Sequence, residues 1–232
     1  MIKILNPNYF ILTISKFLPL VFSLFITILP IALWQALYAS PEDYQQGDLV
    51  RIMYVHVPSA WMSLLIYSFI ALCSLSNIIW RVPFAYILAM SAAPIGAGFT
   101  LITLVTGSIW GQHTWGTWWV WDARLTSMLI LFLFYISYIA IVNAGDSLVR
   151  SEKPAAIIAL IGFINVPIVK FSVNIWNSLH QPASVFRMEG PSIHTSMLIP
   201  LMLMFTAFGL YFIIFLFLRA ETFLNRIKAR NI

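Results

Sequence analysis

Two sets of residues in this sequence can do chemistry. One is the histidines, His56, His113, His180 and His194. The other is the run WGQHTWGTWWVWD at 110–122, which carries five of the nine tryptophans and ends on Asp122. Imidazoles ligate metals and move protons, whereas indoles offer large flat apolar surface and one hydrogen-bond donor. An isolated zinc site usually gathers three or four His, Cys or carboxylate ligands at short spacings, and no such cluster occurs here. The single cysteine, Cys73, makes neither a C-x-x-C pair nor an intrachain disulfide. Thiol redox chemistry and thioether attachment of a cofactor to this chain are excluded by that count.

The elements that must position these residues follow from composition. Of 232 residues, 61% are hydrophobic and 9% charged, far from the balance of soluble globular chains. A helix crossing roughly 30 Å of hydrocarbon needs about 20 apolar residues. Six segments qualify: 17–38, 54–79, 84–108, 125–143, 155–176 and 195–218, and the only charged residue among them is Lys170. Short alternating segments are absent, so the spans read as helices rather than barrel strands. The expected fold is an all-α membrane protein of six transmembrane helices, one integral domain over 1–232. The first apolar run is long and lacks a small-residue cleavage pattern, so it reads as a retained helix rather than a signal peptide.

Charge then orients the spans. With both termini inside, the inner segments carry nine cations: Lys3, Lys16, Arg81, Arg150, Lys153, Arg219, Arg226, Lys228 and Arg230. The outer loops carry three, Arg51, Arg124 and Arg187. This asymmetry predicts cytoplasmic termini. The net charge of +5 is therefore a topology signal, and no compact basic and aromatic patch points to nucleic acid.

That topology puts all four histidines at the outer face, with His56 and His180 at matched depth on spans two and five. Two imidazoles facing each other across a bundle fit the axial positions of a heme, whose porphyrin supplies the other four ligands. The tryptophan-rich segment, 110–124, joins spans three and four. Trp115, Trp118, Trp119 and Asp122 recur at i, i+3, i+4 and i+7, which predicts a short amphipathic helix lying in the outer interface. Its indoles form a platform suited to a porphyrin face. A membrane-anchoring belt scatters its aromatics instead, as Trp34, Trp61, Trp80 and Trp176 are scattered here. Gly111 and Gly116 leave room for a close approach. Asp122 is placed to cap the fourth span or orient a neighbour, and Arg124 to pair with a carboxylate.

The run resembles the tryptophan-rich WWD signature of heme-handling proteins. It is followed by ARLTS, and MYVHVPSAW surrounds His56 while PIVKFSVNIWNSLHQP surrounds His180. Over essentially its whole length the chain resembles the cytochrome c maturation protein C family, also called heme exporter protein C. The WWD stretch marks the superfamily; six spans in 232 residues select this family, because larger relatives carry more spans and histidines. The resemblance implies that His56 and His180 are the axial ligands of a non-covalently held heme b. It implies that Trp110, Trp115, Trp118, Trp119, Trp121 and Asp122 hold the macrocycle. It also implies that heme is received at the outer leaflet and presented to the periplasmic heme chaperone CcmE. The implied associates are the small membrane protein CcmD and an ABC unit of CcmA and CcmB. The implied setting is a bacterial inner membrane, or a mitochondrial inner membrane that inherited the system. His113 and His194 are not ligands in that pattern.

Arg124, with Arg51 or Arg187, is the expected holder of the propionates. Lys170 lies ten positions before His180, about 15 Å deeper along a continuous helix. A lone intramembrane charge commonly faces the bundle interior, or snorkels, and its role stays open. The run APIGAG at 93–98 predicts a kink and close helix packing. Two rival functions are a b-type heme membrane oxidoreductase and a heme permease. The first usually needs histidine pairs at two depths, whereas every histidine here lies on one side. The second, if ATP-driven, needs a partner chain, since no G-x-x-x-x-G-K-[ST] motif occurs. No hydrolytic or oxidoreductase residue set is visible, so the expectation is heme binding and transfer rather than enzymatic catalysis.

Overall fold

A computed structural model describes residues 7–144, 148–181 and 184–230 of the protein. Its helices are α1 (Pro7–Trp34), α2 (Met53–Trp80), α3 (Pro83–Trp115), α4 (Ala123–Ala144), α5 (Leu148–Phe163), α6 (Asn165–Ile175) and α7 (Thr195–Arg230). No β-strand occurs among the described residues. Six helical stretches are long and apolar enough to cross a membrane: α1 to α4, α5 joined with α6, and α7. This agrees with the number of spans expected from the sequence. Lys3, Pro182 and the side chains of Arg150 and Arg230 lie outside the described residues.

Three local features differ from expectation, each for a physical reason. The third span does not stop at 108. Helix α3 continues to Trp115, because nothing from Ile109 to Trp115 breaks it, and it ends where Gly116 turns left-handed with φ 75°. That same turn removes the amphipathic helix predicted through 115–122: residues 116–122 form no helix before α4 begins at Ala123. The fifth span is broken. α5 ends at Phe163, Ile164 makes a tight turn to the Ile161 carbonyl, and α6 restarts at Asn165. Pro167 accounts for the break, having no amide proton and a ring that clashes with the carbonyl four residues earlier, that of Phe163.

The bundle is built around α3, whose most apolar stretch is 67% buried, against 6% for α1, which packs along α7 at the edge. Several hydroxyls inside the bundle are satisfied locally, although those of Tyr54, Ser59, Ser74 and Tyr138 find no partner among the described residues. Ser63, Ser91, Thr100 and Thr103 each donate to the carbonyl four residues back, as a medium without water requires. A tyrosine pair ties three helices together. Tyr135 of α4 donates to the Ser63 carbonyl of α2 at 2.7 Å and meets Tyr67 edge-on at 4.9 Å, while Tyr67 reaches the Ile158 carbonyl of α5.

Both rings fit because the helices they face carry glycine. A methyl at Gly96 would overlap the Tyr135 ring, and one at Gly162 would overlap the Tyr67 hydroxyl and the Phe134 ring. The close packing expected of APIGAG is thus realised at Gly96, with α3 continuous through Pro94. Gly162→Ala is expected to cost about 1–3 kcal/mol by overpacking, read as a lower midpoint of thermal unfolding in detergent. Gly98→Ala, which faces open space, is the silent control.

Candidate functional site

The last two turns of α3 organise one end of the bundle. On α2, the His56 imidazole rests on Gly107, where an added Cβ would sit 2.8 Å from its Cε1. Its Nδ1 lies 3.0 Å from Thr106 Oγ1. The Thr106 hydroxyl proton is already given to the Ile102 carbonyl at 2.6 Å. The oxygen can therefore only accept, so His56 donates from Nδ1–H and its Nε2 keeps a free lone pair. Trp110, one turn further along α3, packs edge-on against His56 at 5.7 Å and donates its indole N–H to Gln46 at 2.7 Å.

His180 reaches the same place from the segment after α6. Its ring meets Trp115 edge-on at 4.8 Å. Trp115 folds back over Gly111, its Cε3 only 3.1 Å from where a Cβ would stand, the usual lean of a helical side chain toward the preceding turn. That lean brings His180 level with residue 111. His56 rests at residue 107, about 6 Å lower by helical rise. The two imidazoles are near enough to influence each other electrostatically, and the Arg124 charge acts on both.

Asp122 is the pivot of this arrangement. As the N-cap of α4 it accepts the Leu125 amide on Oδ1 at 2.8 Å, and its carbonyl accepts the Thr126 amide. Its Oδ2 accepts the Ser178 hydroxyl at 2.5 Å and the His180 Nδ1–H at 3.0 Å. Burial alone would raise the carboxyl pKa. The bonds from Ser178, Leu125 and His180 outweigh burial and hold it below the usual carboxylate range. Asp122 is thus ionised and fixes His180 in the Nδ1–H tautomer, leaving Nε2 as its open nitrogen. Burial also lowers the His180 pKa, against the pull of Asp122 and with the help of Arg124. Near neutral pH the imidazole is uncharged, as a ligand must be.

The tryptophans divide. Trp110 and Trp115 sit on α3, one against each histidine. Trp118 and Trp121, 58% and 75% exposed, project from the non-helical segment 116–122. Trp119 lies beneath Trp121 at 5.4 Å, its buried indole N–H lacking an acceptor among the described residues. The helical face predicted for Trp115, Trp118, Trp119 and Asp122 is therefore not formed. His113 and His194 are exposed. Arg124, half-buried, donates to Ser172 at 3.2 Å and to the Lys170 carbonyl at 3.4 Å. Arg51 is held by Asp48 at 2.7 Å and by the Leu37 carbonyl, and Arg187 by Glu189 at 2.9 Å.

Sequence reasoning missed Thr106, Gly107, Ser178 and Gln46, which position the histidines and Trp110. Only the small residues on the last turns of α3 hinted at them. No group of three or more His, Cys, Asp or Glu able to hold a bare metal ion occurs among the described residues. Two imidazoles presenting Nε2 instead suit a metal that arrives inside a macrocycle.

The family model for heme exporter protein C matches residues 1–232. Heme exporter protein C of Bradyrhizobium diazoefficiens is 48% identical over 213 residues, covering 92% of this chain and 81% of that protein. A putative cytochrome c biosynthesis ccmC-like mitochondrial protein of Marchantia polymorpha is 44% identical over 217 residues, covering 92% of each chain. Heme exporter protein C of Haemophilus influenzae is 43% identical over 189 residues, covering 82% of this chain and 77% of that protein.

Proposed function

The chain belongs to the heme exporter protein C family, and we propose that it holds heme b non-covalently between His56 and His180 and presents it to the heme chaperone CcmE. As a multi-span membrane protein of that family, it handles heme for cytochrome c maturation. The observation that carries the proposal is that each imidazole has its Nδ1 about 3.0 Å from an oxygen, Thr106 Oγ1 or Asp122 Oδ2, an arrangement that favours Nε2 as the open nitrogen. A pair of oriented, neutral imidazoles is one ligand set that suits heme iron.

In this reading both termini are cytoplasmic and the histidine end faces the periplasm of a bacterial inner membrane. Trp110 and Trp115 back the two ligands, Trp118 and Trp121 cover the exposed part of the macrocycle, and the buried Trp119 N–H supplies a donor. Arg124 is near enough to steer a propionate. CcmD and the CcmA and CcmB unit are the associated chains. What the protein contributes is placement: the axial pair fixes the ring, and an uncovered edge stays reachable by the chaperone.

Two experiments follow. Heme-loaded chain in vesicles lacking any ATPase partner is mixed with heme-free CcmE, and covalent heme on CcmE is measured. Transfer is expected without ATP; transfer only when the ATPase is added would overturn the presenting role. The second is a pH titration. The folded His180 has its pKa below the ordinary histidine value, so it stays neutral, and heme affinity stays constant, through neutral pH. Affinity is expected to fall once the pH drops below the ordinary histidine range, as protons displace iron. A loss already complete near neutrality would contradict a neutral, buried ligand.

A further inference from the structure

A cavity of about 640 Å³ is not lined by the histidines or tryptophans above. It lies between the outer part of α6, at Lys170, Phe171 and Asn174, and the loop carrying Ser184, Phe186, Arg187 and Ser192. The loop is firmly built. Buried Val185 anchors it in the core, the Ser192 amide returns to the Ser184 carbonyl at 2.8 Å, and Phe186 packs on Trp61 at 4.7 Å.

Its lining is amphipathic. The Lys170 ammonium has no hydrogen-bond or ion-pair partner among the described residues, only the Phe186 ring 5.7 Å away. Arg187 stands at the same cavity, with Glu189 on one side of its guanidinium. Around these cations Phe171, Phe186 and Met188 are exposed. The depth suits a headgroup. α6 ends at Ile175 rather than running on to His180, so Lys170 lies about 7.5 Å below the helix end. That replaces the roughly 15 Å expected along a helix running on to His180 and leaves the ammonium within two turns of the helix end. Lys170 also lies beside the start of α4, since the Arg124 guanidinium in its first turn reaches the Lys170 carbonyl.

An uncompensated cation at that depth, a second cation above it and exposed apolar side chains around both match one chemistry: an anion carried on an apolar tail. We propose that this cavity binds an anionic phospholipid, its phosphodiester between Lys170 and Arg187 and its acyl chains along Phe171 and Phe186. Neither histidine of the pair lines it, and the proposal does not depend on the heme reading.

The test uses the full chain, delipidated in detergent and incubated with vesicles of phosphatidylglycerol or of phosphatidylcholine, with bound lipid counted by native mass spectrometry. Wild type is expected to retain phosphatidylglycerol over phosphatidylcholine, and excess inorganic phosphate should not displace it. K170Q and R187Q should each lower retention by about tenfold, K170R should keep it, and heme content should be unchanged in K170Q and K170R. Equal retention of both lipids, full retention in K170Q, or displacement by inorganic phosphate would overturn the proposal. Loss of heme in K170Q would also overturn it, by making Lys170 part of the heme site.

Discussion

His180→Ala and His56→Ala are each expected to reduce heme affinity by more than about 100-fold at neutral pH. Substitutions one bond beyond a metal ligand already cost about 10–100-fold, and these remove the ligand itself. Neither should unfold the chain. In His180→Ala the Asp122 carboxylate keeps the Ser178 hydroxyl and the Leu125 amide, so α4 stays capped. In His56→Ala the Thr106 hydroxyl keeps the Ile102 carbonyl. Heme titration of purified protein measures the loss, and added imidazole is the control. It should restore binding in each variant by filling the space left by the missing ring. Failure of imidazole to rescue either variant, with the fold intact by circular dichroism, would argue that the histidines act structurally.

Asp122→Asn carries the second large effect. Asparagine caps helices as well as aspartate does, so stability should barely change, whereas the charge that orients His180 is lost. Affinity at neutral pH is expected to fall by about 10–100-fold, as for other residues that orient a metal-bound imidazole. The pH profile separates orientation from capping. In the wild type Asp122 is the group that favours the His180 imidazolium, opposing burial and the nearby Arg124. Without that charge the His180 pKa falls further, so the acid limb of heme binding should move to lower pH even as affinity drops. An unmoved acid limb would leave Asp122 with a capping role only.

The spans were legible because apolar length is a property of the chain alone, and Phe17 through Leu218 announce themselves by composition. Helix ends were less so. The tryptophan spacing from Trp115 to Asp122 has a helical period, yet one left-handed residue, Gly116, stops the helix, and hydrophobic periodicity does not register a single φ. The histidines stood out as residue types. Their partners did not, because Thr106 meets His56 across 50 residues and Asp122 meets His180 across 58, distances that only packing determines. Lys170 shows the same limit. Its position followed from assuming a helix continuous to His180, and the end of α6 at Ile175 changed it. The capping and orienting roles of Asp122 were both foreseen as alternatives; the structure has one carboxylate perform both, one oxygen for each.

The most direct measurement is electron paramagnetic resonance of the ferric heme-loaded chain, wild type beside the two single-histidine variants. A low-spin signal typical of two imidazoles on one iron, lost separately in His56→Ala and in His180→Ala, is the predicted result. The same low-spin signal surviving unchanged in either variant would contradict it.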